Sequence, residues 1–175
     1  NPVSGQPSST RSQQHIKLFI PGPTEVRPEI LDAQTQWMIG HRMPECLELV
    51  GQIRPKLAQV FFTEQTVLIT ASSGTGLWEA AARNLVNKKV LTCVNGAFAE
   101  RFSDVAEMNG KAIEVLSVPW GQPILPEQVV ERLATGEFDA VSIVHNETST
   151  GVTSPIRDIA QAIRALPNGQ DIMIL

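Results

Sequence analysis

The sequence predicts an α/β protein: a mostly parallel sheet with helices on both faces. Three observations carry this. From Thr66 onward, strand-like and helix-like stretches alternate. The strand-like stretches are unbroken runs of Val, Ile and Leu, the pattern of strands covered on both faces rather than one. The first of them, residues 67–70, runs into the small-residue turn Ala71-Ser72-Ser73-Gly74-Thr75-Gly76 and then into a helix start. Alternation with buried strands implies parallel pairing through right-handed crossovers.

The elements follow in order. Residues 1–15, rich in Ser, Gln and Pro, predict a flexible tail, and ordered structure begins at Ile16, so that residues 16–175 form the domain. Residues 17–20 are short and apolar. Pro21-Gly22-Pro23-Thr24 must be an irregular turn, because proline fixes φ on both sides of a free glycine. Pro28 opens a helix at its first position. A loop at 41–44 leads to a longer helix, where Cys46, Val50, Ile53, Leu57, Val60 and Phe61 have the spacing of a buried stripe and Pro55 predicts a kink. Strands are expected at 67–70, 90–94, 113–118, 140–144 and 172–175. Helices are expected at 75–86, 97–108, 126–134 and 155–166, with Asn109-Gly110 as a helix stop. The last strand is core-like and meets the end of the chain, which predicts an N-terminal piece of a longer protein.

Composition narrows the function. A chain of 175 residues with 42% apolar content fits one globular domain. A net charge of −4 without a basic cluster argues against a nucleic-acid surface. The one basic pair, Lys88-Lys89, falls where a helix should end and reads as a complement to its dipole. Cys46 and Cys93 form no C-x-x-C; Cys93 reads as a buried small hydrophobe, and a reducing, cytoplasmic compartment is expected. No apolar run is long enough to span a membrane, and residues 1–14 lack the apolar core of a secretory signal. His15 and His41 have no metal-ligand spacing, so no metal is expected.

Ligands of an open parallel sheet bind beyond the carboxyl ends of its strands. Segments 71–76, 95–98 and 145–151 leave strands at that edge and should line one pocket. The first offers an anion site: free N–H groups and a positive helix end, with glycines for close approach and the Ser73 and Thr75 hydroxyls as donors. The second offers the aromatic face of Phe98. The third offers Asn146, Thr148, Ser149 and Thr150. Each has a plainer reading. Phe98 also suits a core aromatic, Thr148 and Ser149 suit caps for the helix expected from Pro155, His145 suits a satisfied loop or core position, and Arg42 a surface ion pair.

A phosphate site, a flat face and hydrogen-bonding groups for a ring substituent describe pyridoxal 5′-phosphate. In these residues the chain resembles the class V pyridoxal-phosphate aminotransferases, nearest the alanine–glyoxylate and serine–pyruvate branch. The carrying segments are Pro21-Gly22-Pro23-Thr24, Met38-Ile39-Gly40-His41-Arg42, Ser73-Gly74-Thr75 before Leu77-Trp78-Glu79-Ala80-Ala81, Asn95-Gly96-Ala97-Phe98, and His145-Asn146-Glu147-Thr148-Ser149-Thr150-Gly151-Val152. The resemblance implies the N-terminal part of the large domain of a fold-type I enzyme. It implies that Ser73, Gly74 and Thr75 hold the cofactor phosphate, that Phe98 stacks on the pyridine ring, and that Thr148 hydrogen-bonds the ring oxygen. Pro21 and Gly22 match the loop near the substrate carboxylate, and Arg42 lies in a loop that approaches the active site of related dimers.

The family also needs a lysine amine that holds the cofactor covalently and a carboxylate beside the pyridine nitrogen. Lys17, Lys56, Lys88, Lys89 and Lys111 do not sit in the family's lysine motif, so this segment by itself is expected to be inactive. The implied whole is a homodimeric transaminase acting on a small amino acid, alanine or serine, and a 2-oxo acid, glyoxylate or pyruvate. The alternatives are a cysteine desulfurase-like lyase, disfavoured by Phe98 where that group carries His, and a non-catalytic phosphate- or nucleotide-binding module. The turn lacks the P-loop ending and the dinucleotide glycine spacing.

Overall fold

A computed structural model of the chain describes residues 16–175. The tail expected over residues 1–15 lies outside the described residues. The chain divides into two compact units, Asn1–Leu68 and Ile69–Leu175.

In the first unit, the bend at residues 20–23 contains a cis Gly22–Pro23 peptide bond. Helix α1, Pro28–Ala33, and helix α2, Pro44–Val60, both begin with proline, whose missing N–H would have no partner in a first turn. Helix α2 runs unbroken through Pro55: one lost i→i−4 bond does not end a helix of 17 residues. The apolar stripe of α2 is not buried as its spacing predicts. Val50, Val60 and Phe61 are exposed, while Cys46, Ile53 and Leu57 are half-buried. Periodicity identifies an apolar face, but burial needs an opposing surface, and this face is covered only in part.

The run 67–70, expected as the first strand, forms none. Leu68 is exposed, as is Ile69, and the run belongs to neither described sheet. Apolar β-formers make a strand only when a neighbour takes up their N–H and C=O groups.

The second unit holds the sheet. Its elements are helix α3, Gly74–Leu85; strand β1, Lys89–Val94; helix α4, Ala97–Met108; strand β2, Ala112–Ser117; helix α5, Pro126–Thr135; strand β3, Ala140–Ile143; strands β4, Asn146–Glu147, and β5, Val152–Thr153; helix α6, Ile156–Arg164; and strand β6, Met173–Ile174. Four strands lie in the order β2-β1-β3-β6, all parallel, and β4 and β5 form a separate antiparallel pair. The register pairs Val90 with Ile113 and Ala140, and Ala140 with Met173. Pairing reaches past β6: Leu175 donates to Val141 O and accepts from Ile143 N–H. Asn109-Gly110 ends α4, with Gly110 at a positive φ of 72°.

Strands β1 and β3 are covered on both faces. Leu91, Cys93 and Val141 pack with Val129, Leu133, Ile159 and Ile163 of α5 and α6. Val90 and Ala140 pack with Ala82, Phe102 and Ala106 of α3 and α4. Burial pushes the Cys93 thiol up to about 12, so it stays a neutral apolar group. The outer strand β2 departs from the expectation: Val115 is exposed, because an edge strand has a neighbour on one side only.

Lys88-Lys89 does not complement a helix end as expected, because α3 stops at Leu85. Lys89 opens β1, pairs with Glu114 Oε2 at 2.6 Å and lies over the Phe138 ring. The lysines' N–H groups matter more. Asp139 accepts from the N–H groups of Asn87, Lys88 and Lys89 at 2.5–3.1 Å. Its own C=O accepts from Met173 N–H at 2.9 Å. The residue thereby ties the amino ends of β1, β3 and β6 together. Burial raises the Asp139 carboxyl, but the three N–H donors outweigh it and leave the carboxyl below its ordinary 3.8.

A folded-state value below the unfolded one adds stability that is complete above the unfolded value and is lost as pH falls through the folded one. Asp139→Asn should therefore destabilise the protein by about 1–3 kcal/mol near neutral pH. The gap between variant and parent should close in acid below the ordinary carboxylate range. Urea unfolding at the two pH values checks both.

Candidate active site

The second unit gathers candidate residues at the carboxyl edge of the sheet. Ser73 is the N-cap of α3, and its Oγ accepts from Gly76 N–H at 3.2 Å. That leaves the hydroxyl proton free to donate outward. The N–H groups of Gly74 and Thr75, in the first turn, have no acceptor within the helix. No acidic residue lies in this turn, so the positive end of the dipole is uncompensated. A side chain at Gly76 would collide with the Ser72 hydroxyl, which donates to Ser73 O. The turn is thus a compact set of donors, and this suits a phosphate dianion.

Phe98 lies in the first turn of α4 and is 41% exposed. It is therefore not the core aromatic of the plainer reading. Its ring meets the edge of Trp78 from α3, with centroids 6.3 Å apart at 74°. Trp78 also meets Phe102 at 6.4 Å. The ring is held from one side and open on another, as a stacking surface requires. An open cleft of about 470 Å³ runs along α4 from Thr75 of α3 past Ala97 and Asp104 to Met108; Ser73, Gly74, Phe98 and Thr148 do not line it.

Thr148 sits, exposed, in the turn between β4 and β5, which closes with Thr150 and Gly151 N–H on Glu147 O. Gly151 has φ +73°, the left-handed conformation that glycine adopts without strain. Ser149 is a helix cap, but not of α6. Its Oγ accepts from Ala97 N–H of α4 at 3.0 Å, and α6 begins at Ile156 after an N-cap, Pro155, that makes no side-chain cap bond. His145 is exposed rather than buried.

Sequence reasoning named no role for Glu147. It is fully buried. Its Oε2 accepts from Ala99 N–H at 3.1 Å, and its Oε1 accepts from Ser149 N–H at 3.1 Å and Ser149 Oγ at 2.6 Å. An acidic residue with a serine two positions on is a cap pattern, but the helix it caps begins about 50 residues earlier, so no local window shows it. The candidates Pro21 and Gly22 lie in the first unit, exposed, as does Arg42.

Close approach explains Gly96. A Cβ there would overlap Glu147 Cγ and stand 2.5 Å from Glu147 Cδ and 2.6 Å from Ser149 Oγ. Its backbone is extended, so space and not φ demands glycine. Gly96→Ala should cost about 1–3 kcal/mol by forcing the buried carboxylate aside. Denaturant titration checks this, with Gly74→Ala, where a Cβ meets nothing within 4 Å, as the mild control.

No group of His, Cys, Asp and Glu able to hold a metal exists among the described residues, and no described helix is long and apolar enough to cross a membrane. A family model for class-V aminotransferases matches residues 18–170. An uncharacterized aminotransferase of Methanocaldococcus jannaschii is 40% identical over 151 residues, 84% of this chain and 39% of that protein. Serine–glyoxylate aminotransferase of Methylorubrum extorquens is 35% identical over 164 residues, 90% of this chain and 41% of that protein. The crystal structure of alanine–glyoxylate aminotransferase from a Nostoc species superposes with a TM-score of 0.79 at 27% identity, over 97% of this chain and 47% of that one. The chain thus spans less than half the length of these relatives. With its parallel sheet, its helices on both faces and the match over residues 18–170, the chain has the fold-type I architecture and belongs to the class-V aminotransferase family.

Proposed function

We propose that this chain is the N-terminal part of the large, cofactor-binding domain of a pyridoxal-phosphate-dependent aminotransferase. The whole protein transfers an amino group between a small amino acid, alanine or serine, and a 2-oxo acid, glyoxylate or pyruvate. It works as a homodimer in a reducing, cytoplasmic compartment. What supports the reading is that Ser149 ties the Thr148 turn to the start of α4, where Phe98 lies, and that Trp78 of α3 meets the Phe98 ring.

The residues fit the cofactor. The N–H groups of Gly74 and Thr75 and the hydroxyls of Ser73 and Thr75 would hold the phosphate. Phe98 would cover one face of the ring, and Thr148 would donate to the ring oxygen. When bound, pyridoxal phosphate supplies a conjugated ring that takes up the electron pair released at the substrate's α-carbon. The chain's part is to bind, orient and shield. The proton-shuttling lysine would come from outside these 175 residues, a reading that the lysines of the second unit support. Lys88, Lys89 and Lys111 lie at the amino edge of the sheet, Lys89 on Glu114 and Lys111 on Val86 O, opposite to the donor turn. Pro21 and Gly22 are assigned to the substrate carboxylate loop.

The full-length protein, supplied with serine or alanine and glyoxylate, should form the matching 2-oxo acid and glycine. Release of sulfur from cysteine without any 2-oxo acid would instead make it a lyase. Thr75→Ala should weaken cofactor affinity by about 10- to 100-fold, the loss of one hydrogen bond to a charged group, as read by absorbance titration of the cofactor-free protein.

A further inference from the structure

We propose that Glu147 and Ser149 are positioning residues that hold the two ring contacts, Phe98 and Thr148, in register across the site. This rests on the cofactor reading above and deepens it.

The bonds fall in pairs around the two residues. Ala97 N–H donates to Ser149 Oγ, and Ala99 N–H donates to Glu147 Oε2. Phe98 is the residue between the two donors, and Thr148 is the residue between the two acceptors. The clamp is closed on itself, because Ser149 N–H and Oγ both donate to Glu147 Oε1. Both carboxylate oxygens of this buried side chain are therefore occupied, where an unpaired charge would be costly. The cap has no local substitute: Gly96, the N-cap of α4, has no side chain to offer. A carboxylate at this end also meets the positive end of the α4 dipole. The bare Cα of Gly96 lets the carboxylate come this close. Neither Glu147 nor Ser149 needs to touch the cofactor. They set the distance between a face contact and an edge contact on one ring.

The clamp makes no bond to the α3 donor turn, so the two halves of cofactor binding can be separated. In the full-length protein, Glu147→Ala and Ser149→Ala should each weaken pyridoxal phosphate binding by about 10-fold or more and diminish the circular dichroism induced in the bound cofactor. Inorganic phosphate should compete for reloading of the cofactor-free variants with the parent's inhibition constant. Glu147→Gln, which keeps one acceptor oxygen, should recover part of the affinity.

Unchanged cofactor affinity in a folded Ser149→Ala variant overturns the proposal, even if Glu147→Ala fails to fold. An equal fall in cofactor and phosphate affinity overturns it too, because it would mark general loosening. A parent protein that binds no pyridoxal phosphate would instead overturn the cofactor reading itself.

Discussion

A buried carboxylate must find donors, and in this protein the demand of Glu147 organises the carboxyl edge of the sheet. The residue is fully buried, so water cannot solvate it. Its donors come from the start of α4 and from Ser149. Meeting that demand brings the β4–β5 turn against the first turn of a helix that precedes it by almost 50 residues. It makes glycine necessary at 96 and gives α4 a cap that its own N-terminus lacks. The positions of Phe98 and Thr148 follow from this contact.

The opposite edge repeats the chemistry with another purpose. Asp139 accepts three successive N–H groups and binds the amino ends of neighbouring strands. Lys89 there is engaged with Glu114 and the Phe138 ring, and Lys111 with a backbone carbonyl. At the α3 turn, by contrast, donors are left facing outward. At the amino edge the N–H groups of residues 87–89 are taken up by Asp139, whereas the first-turn N–H groups of α3 have no acceptor within their helix.

Much of the second unit was legible because its signals are local. The strands at 90–94, 113–118 and 140–144 and the helices at 75–86, 97–108 and 126–134 agree with the structure to within a residue or so at each end, since runs of β-branched residues, prolines at first turns and the Asn109-Gly110 stop act within a few positions. The misses share a different cause. Residues 67–70 have the composition of a strand but no paired neighbour, and the α2 stripe has the period of a buried face but only a partial covering. In both, the residues state what an element could do, and another part of a structure has to accept it; on α2 only Cys46, Ile53 and Leu57 are accepted, and those in part.

The alternation of elements, the parallel sheet covered on both faces and the cap at Ser73 were readable along the chain, because each depends on residues close together in it. Folding alone set which groups meet across it: Trp78 on Phe98, Ser149 on α4 rather than α6, and Glu147 on the first turn of α4. A capping bond looks the same to a carboxylate whether its helix begins four residues away or fifty. Only the folded chain brings one particular helix within reach.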